Sequence, residues 1–198
     1  MITAVLLAAG CSSRMGAAPD SKLLLPWGEE DEPLVAEAAR RLIAAGMERV
    51  IAVVGHRADD VGRALASMDV EIVLNPDYAS GLSTSIAAGI RAAPEETTGH
   101  LFVLGDMPVV APDTVIRLCR AFDGSRRSIV VPVADGRRGN PVLFDRSFRC
   151  ELLALSGDRG AGGLLDQHAD CVVEVEVDDD GIFADVDTAE AYRKLRGS

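Results

Sequence analysis

The loop Leu7-Ala8-Ala9-Gly10-Cys11-Ser12-Ser13-Arg14-Met15-Gly16 follows an apolar run and precedes Lys22. Small side chains after a strand let successive backbone N–H groups approach an anion. Arg14 adds a guanidinium fork that matches phosphate oxygens, and Lys22 adds a point charge. The loop is not a P-loop, since no Lys-Ser/Thr closes it, nor the dinucleotide fingerprint, since Gly10 and Gly16 stand alone. The same residues also suit a plain strand-to-helix turn. In Leu104-Gly105-Asp106-Met107-Pro108, Asp106 directly follows a second apolar run, where it can ligate Mg2+ or act only as a turn or cap residue. In Asp185-Val186-Asp187-Thr188, carboxylates two apart on an extended segment share a side, while Asp187-Thr188-x-Glu190 also fits a helix start.

Two further stretches carry polar groups in suggestive places. Asn75-Pro76-Asp77-Tyr78-Ala79-Ser80-Gly81-Leu82-Ser83-Thr84-Ser85 joins a strand to a helix, and its hydroxyls can cap that helix or face an anion. Arg137-Arg138-Gly139-Asn140-Pro141, with Gly157-Asp158-Arg159-Gly160 downstream, reads either as a hairpin with a basic tip or as part of a binding surface. Asp178-Asp179-Asp180 reads as solvated surface or turn. His56, His100 and His168 have no partners at metal-ligand spacing, so packing or surface roles are expected.

The first loop, followed by Lys22 and Leu25-Pro26-Trp27, resembles the signature of the molybdenum cofactor cytidylyltransferases. Their wider nucleotidyltransferase superfamily includes the guanylyltransferase branch of molybdenum cofactor maturation. The likeness runs from residue 2 to about 192 with the motifs in the expected order. It implies that Leu7, Ala8, Ala9, Gly10, Arg14 and Lys22 bind the triphosphate, with Arg14, Lys22 and Asp106 serving catalysis. It implies further that Asp106 and Asp187 hold Mg2+, and that Gly81, Ser83 and Ser85 meet the base and sugar. Arg138, Asn140 and Arg159 would line the acceptor pocket. Ala17 to Ser21 is longer than is usual in the family, so that either the loop bulges and Lys22 still reaches the phosphates, which is the expectation, or Lys22 is displaced. Ala8-Ala9-Gly10 and Leu25-Pro26-Trp27 look like the cytidylyl branch. The implied reaction is transfer of CMP from CTP to molybdopterin with release of pyrophosphate. GTP or another NTP with a sugar or isoprenoid-precursor phosphate is the alternative, as is a non-catalytic cofactor-delivery partner of molybdenum hydroxylases. The hydroxylases or their chaperones would be protein partners in either case. A nicotinamide-dependent oxidoreductase would need the dinucleotide fingerprint that is missing.

These residues need elements to bring them together. Apolar runs at 2–7, 50–54, 71–74 and 101–104 alternate with helical patterns at 34–45, 58–68, 83–92 and 112–122. That succession predicts an α/β chain: a three-layer α/β/α, Rossmann-like nucleotidyltransferase fold with a mostly parallel sheet. Ligands collect at the carboxyl ends of such strands, which is where these motifs fall. After residue 125 the pattern changes. Residues 128–133 and 141–144 suggest a hairpin or split strands, followed by short helices, a strand at 171–177 and a last helix at 188–195. One domain over 1–198 is expected, with 1–125 binding the nucleotide and 126–198 the acceptor.

Composition narrows the partners. Of 198 residues, 48% are hydrophobic and 4% aromatic, so Val, Leu, Ile and Ala must build the core. With 20 basic and 31 acidic residues the formal charge is −11, which repels polynucleotide backbones. No nucleic-acid or membrane partner is expected. The four scattered cysteines read as free thiols in a reducing, cytoplasmic setting. No signal peptide or membrane-length apolar run is read from the sequence.

Overall fold

Strand β1 (Ile2–Ala8) is the centre of the architecture, buried along nearly its whole length. The computed structural model describes residues 1–11, 21–28 and 30–196. After β1 come the two short strands β2 (Pro26–Trp27) and β3 (Glu32–Pro33), then α1 (Leu34–Ala44), β4 (Val50–Val54), α2 (Ala58–Leu65), β5 (Glu71–Leu74), α3 (Leu82–Ala92), β6 (Gly99–Leu104) and α4 (Pro112–Ala121). The remainder runs β7 (Ile129–Ala134), β8 (Arg137–Arg138), β9 (Val142–Asp145), α5 (Arg149–Leu153), α6 (Gly162–Gln167), β10 (Val172–Glu176) and α7 (Ala189–Arg196).

The main sheet has the order β10-β7-β9-β6-β1-β4-β5, with β8 on β7. β6, β1, β4 and β5 are parallel, and so are β7 and β10. β9 runs antiparallel to both β6 and β7, and β8 antiparallel to β7. The 128–144 region is therefore both a small hairpin and a pair of neighbouring strands. The mostly parallel α/β architecture is as the sequence predicts.

Alternation along β1 divides the core between the two faces of the sheet. Ala4, Leu6 and Ala8 pack with Leu34, Ala38 and Leu42 of α1, Val61 and Leu65 of α2, and Val115 and Leu118 of α4. Val5, Leu7 and Ala9 pack with Ile86 and Ile90 of α3, Leu152 of α5 and Leu164 of α6. Gly89 lets α3 lie close to the sheet, since a Cβ there would sit 2.3 Å from Val5 Cγ1. α3 in turn carries one wall of the site. Among the described residues no helix is long and apolar enough to cross a membrane.

Candidate active site

A cavity of about 550 Å³ opens at the carboxyl ends of β1 and β6. The chain runs outward from β1 to β5 and then returns to β6 on β1's other side, so a crevice forms there. Leu7, Ala9, Gly10 and Cys11 line it from β1, and Leu104 and Asp106 from β6. Backbone bonds lock these segments together: Gly105 N–H donates to Leu7 O at 3.0 Å, and Val186 N–H to Asp106 O at 3.0 Å. Val186 is fully buried in the core. Anchoring that residue turns its two neighbours, Asp185 and Asp187, to the cavity side, as the i, i+2 spacing requires. The helix-start alternative for this segment resolves in favour of the next residue. Thr188 Oγ1 accepts the Ala191 N–H at 3.1 Å, so the cap is Thr188.

The ammonium of Lys22 lies between the two distant carboxylates, 2.5 Å from Asp106 Oδ2 and 2.5 Å from Asp187 Oδ1. Burial alone would lower the Lys22 pKa, but the charges and hydrogen bonds of Asp106 and Asp187 outweigh it and hold it above the usual lysine value. Burial lifts the Asp185 carboxyl above its ordinary value, and the adjacent Asp187 charge adds to the rise. Asp106 Oδ1 is buried and finds no hydrogen-bond partner among the described residues. A hard cation is the natural complement of such an oxygen. Among the described residues, no three His, Cys, Asp or Glu side chains gather closely enough to hold a metal by themselves.

The opposite wall comes from the loop after β5 and the first turn of α3. Tyr78, Ala79, Gly81, Leu82 and Ser85 line the cavity there. Gly81 has φ 111°, and a Cβ on it would lie 2.5 Å from the carbonyl carbon of Gly157 and 2.8 Å from Asp158 Oδ1. Only glycine fits this junction, which brings Asp158 to the cavity edge. Behind the wall, buried Asn75 donates to Thr84 Oγ1 at 2.9 Å and to Ser85 Oγ at 3.0 Å.

Of the residues singled out in the sequence, Leu7, Ala9, Gly10, Lys22, Gly81, Ser85, Asp106 and Asp187 meet around this one cavity. Ala8 is wholly buried beneath it. Ser83 lies instead beside a second cavity, with Asn75, Asp77, Arg91 and Leu153. Arg138 is outside the lining, its Nε donating to Glu174 Oε1 at 2.7 Å. Asn140 is tied by its N–H to Ile182 O at 3.0 Å and precedes a cis peptide to Pro141. Arg14 and the Arg159 side chain lie outside the described residues. Asp158 and Tyr78 are cavity residues that the sequence did not single out. The reading of 178–180 as solvated surface or turn holds, with Asp178 and Asp180 exposed and Asp179 opening a turn by accepting the Gly181 N–H at 2.9 Å, but Asp179 has a further role. Its Oδ2 accepts from Ala111 N–H at 2.9 Å and Thr114 Oγ1 at 2.6 Å, fastening the start of α4.

Residues 4–172 match the MobA-like NTP transferase domain. The chain is 34% identical to nicotine blue oxidoreductase of Paenarthrobacter nicotinovorans, over 98% of this chain and 96% of that one. It is 28% identical to molybdenum cofactor cytidylyltransferase of Escherichia coli, over 96% and 93%. Among solved structures, Rv0371c from Mycobacterium tuberculosis superposes with a TM-score of 0.85 at 31% identity, covering 100% of this chain and 98% of that one. Rv0371c has also been solved in complex with manganese.

Proposed function

The chain belongs to the MobA-like NTP transferase family and is a nucleotidyltransferase, and from that premise we propose that it transfers CMP from CTP to a molybdopterin-type phosphorylated acceptor. The observation that carries this is the Lys22 ammonium clasped by Asp106 and Asp187 in the lining of a cavity of nucleotide size. CTP is favoured by Ala8-Ala9-Gly10 and by the likeness to the Escherichia coli cytidylyltransferase. A cytoplasmic setting is part of the same proposal.

In the reaction an acceptor phosphate oxygen attacks the α-phosphorus of CTP in line. A new P–O bond forms as the bond to the bridging α–β oxygen breaks, and pyrophosphate leaves. Two anions must meet, so the barrier is largely electrostatic and no covalent enzyme intermediate is needed. Asp106 and Asp187 would hold Mg2+, which neutralises phosphate charge when bound. Lys22 exchanges its carboxylate partners for phosphate oxygens as the triphosphate arrives, and Arg14 is proposed to meet the same oxygens. Leu7 to Gly10 pass beneath the nucleotide with little side-chain bulk, while Gly81 and Ser85 border its base and sugar. Arg138, Asn140 and Arg159 are proposed acceptor contacts on the family likeness, not on contact with the cavity. The division into a nucleotide-binding part, 1–125, and an acceptor-binding part, 126–198, is proposed on the same ground.

A redox reading has one observation in its favour, the 34% identity to nicotine blue oxidoreductase. Hydride transfer has no need of an ammonium between two carboxylates, whereas phosphoryl chemistry uses both charges. Pyrophosphate release measured with each of the four NTPs, with and without molybdopterin, tests the proposal. CTP with molybdopterin is expected to be fastest. A preference for GTP would replace the cytidylyl assignment. Silence with all four NTPs, together with thermal stabilisation by NAD(H) and not by CTP–Mg2+, would favour the redox reading.

A further inference from the structure

We propose that Asn75 is a positioning residue that fixes the polarity of Ser85, so that the Ser85 hydroxyl donates into the cavity and selects a nucleotide atom that accepts. The proposal rests on the nucleotidyl-transfer reading above.

The argument begins with a group that can only donate. The Asp77 backbone N–H lies 3.0 Å from Asn75 Oδ1, which decides the orientation of the Asn75 carboxamide. Both Nδ2 protons then go to hydroxyl oxygens, Thr84 Oγ1 at 2.9 Å and Ser85 Oγ at 3.0 Å. Each hydroxyl, having accepted, has its own proton left to place. Thr84 places its proton on Gly81 O at 2.8 Å, with Asp77 O at 3.1 Å. A helical serine can fold its hydroxyl back onto the carbonyl four residues earlier, which for Ser85 is Gly81 O. That oxygen already accepts the Thr84 backbone N–H at 3.2 Å and the Thr84 hydroxyl. Among the described residues the Ser85 hydroxyl makes no further hydrogen bond, and Ser85 lines the cavity. Its proton is therefore directed at the ligand. Asn75 is buried, at 3% exposure, so water does not compete for its amide. Cytosine offers acceptors of the required kind at N3 and O2.

Asn75→Asp keeps the shape and replaces two donors by acceptors, so the Ser85 proton turns back to the new carboxylate. The KM for CTP is expected to rise about tenfold, the worth of one unsatisfied hydrogen bond, with kcat unchanged within about twofold. Ser85→Ala should give a similar rise, and the double variant should be no worse than Ser85→Ala alone. Rises that multiply in the double variant, or a wild-type KM in Asn75→Asp, would overturn the proposal. If Asn75→Asp folds poorly, the same cycle with Asn75→Ala decides it, since non-additivity with Ser85→Ala is again expected. Calorimetric binding of CTP–Mg2+ reads the same ratios without turnover. A chain that binds CTP but releases no pyrophosphate would sink the transferase reading while the cycle still decides this one.

Discussion

At the β1–β6 end of the cavity, carboxylates of Asp106, Asp185 and Asp187 gather near one ammonium, whereas behind the α3 wall the carboxamide of Asn75 donates to two hydroxyls in a network that itself carries no formal charge. The charged end can be rearranged. On the proposed reading, Lys22 is held by groups whose preference would change once phosphates and a divalent ion arrived, and Asp106 Oδ1 has no hydrogen-bond partner among the described residues. The neutral network is already paired, with Asn75 Oδ1 accepting from Asp77 N–H and Thr84 Oγ1 donating to Gly81 O, and the proposal leaves it one proton, that of Ser85, for the cavity. Charge in a partly dry site alters barriers, whereas a pre-satisfied neutral network alters fit. The two ends should accordingly fail in different kinetic constants.

The largest effect is expected from Asp106→Ala, with kcat falling about a thousandfold or more while the fold is kept, as removal of an essential electrostatic group does. Rapid-quench turnover alongside circular dichroism would check it, and near-normal turnover would remove Asp106 from the mechanism. Lys22→Met comes next, with kcat falling about a hundredfold. That variant should also bind Mn2+ more tightly without nucleotide, because the ammonium no longer competes for Asp106 and Asp187. Unchanged Mn2+ affinity would mean that Lys22 and the metal do not share these oxygens.

Part of this contrast is legible in the sequence. Apolar runs such as Val50–Val54 read as buried parallel strands because they are short, rich in β-branched residues and alternate with helical patterns. Asp185 and Asp187 could be placed on one side from spacing alone. The meeting of Lys22 with Asp187 could not, since 165 residues separate them and only the sheet order joins them. β9 was illegible as a partner for β6 because Val142–Asp145 is short and its apolar pattern names no neighbour. Ser83 and Ser85 stand about 200° apart around a helix, so they face different cavities. Asp179 looked like one of a solvated run because its partners, Ala111 and Thr114, lie far back in the chain.

A change that perturbs only the neutral end would sharpen the comparison. Gly89→Ala places a methyl 2.3 Å from Val5 Cγ1, so α3 and the sheet must move apart or Val5 must repack. Overpacking of this kind costs about 1–3 kcal/mol, visible as a lowered melting temperature. Where α3 moves, Gly81 and Ser85 travel with it, so the KM for CTP should rise while kcat at saturation holds. A fall in kcat with unchanged KM would show that the two ends are mechanically coupled.

The smallest effect separates the fold from both ends. His100 lies near the start of β6, the strand that leads to Asp106, and is buried with Nδ1 unpartnered among the described residues. Burial, with the Arg149 charge adding, lowers its pKa from 6.5 to about 4. Between those values the unfolded chain holds more protons than the folded one, so stability rises with pH and is lost as pH falls from 6.5 toward 4. At pH 6 the chain should be roughly 1 kcal/mol less stable than at pH 8, read as a lower urea midpoint. His100→Phe, beside Phe102, should flatten that dependence and leave the KM for CTP unchanged, because His100 is not among the residues that line the cavity. If the slope survives the substitution, another group carries the acid sensitivity; if KM moves with it, the base of β6 communicates with the cavity after all.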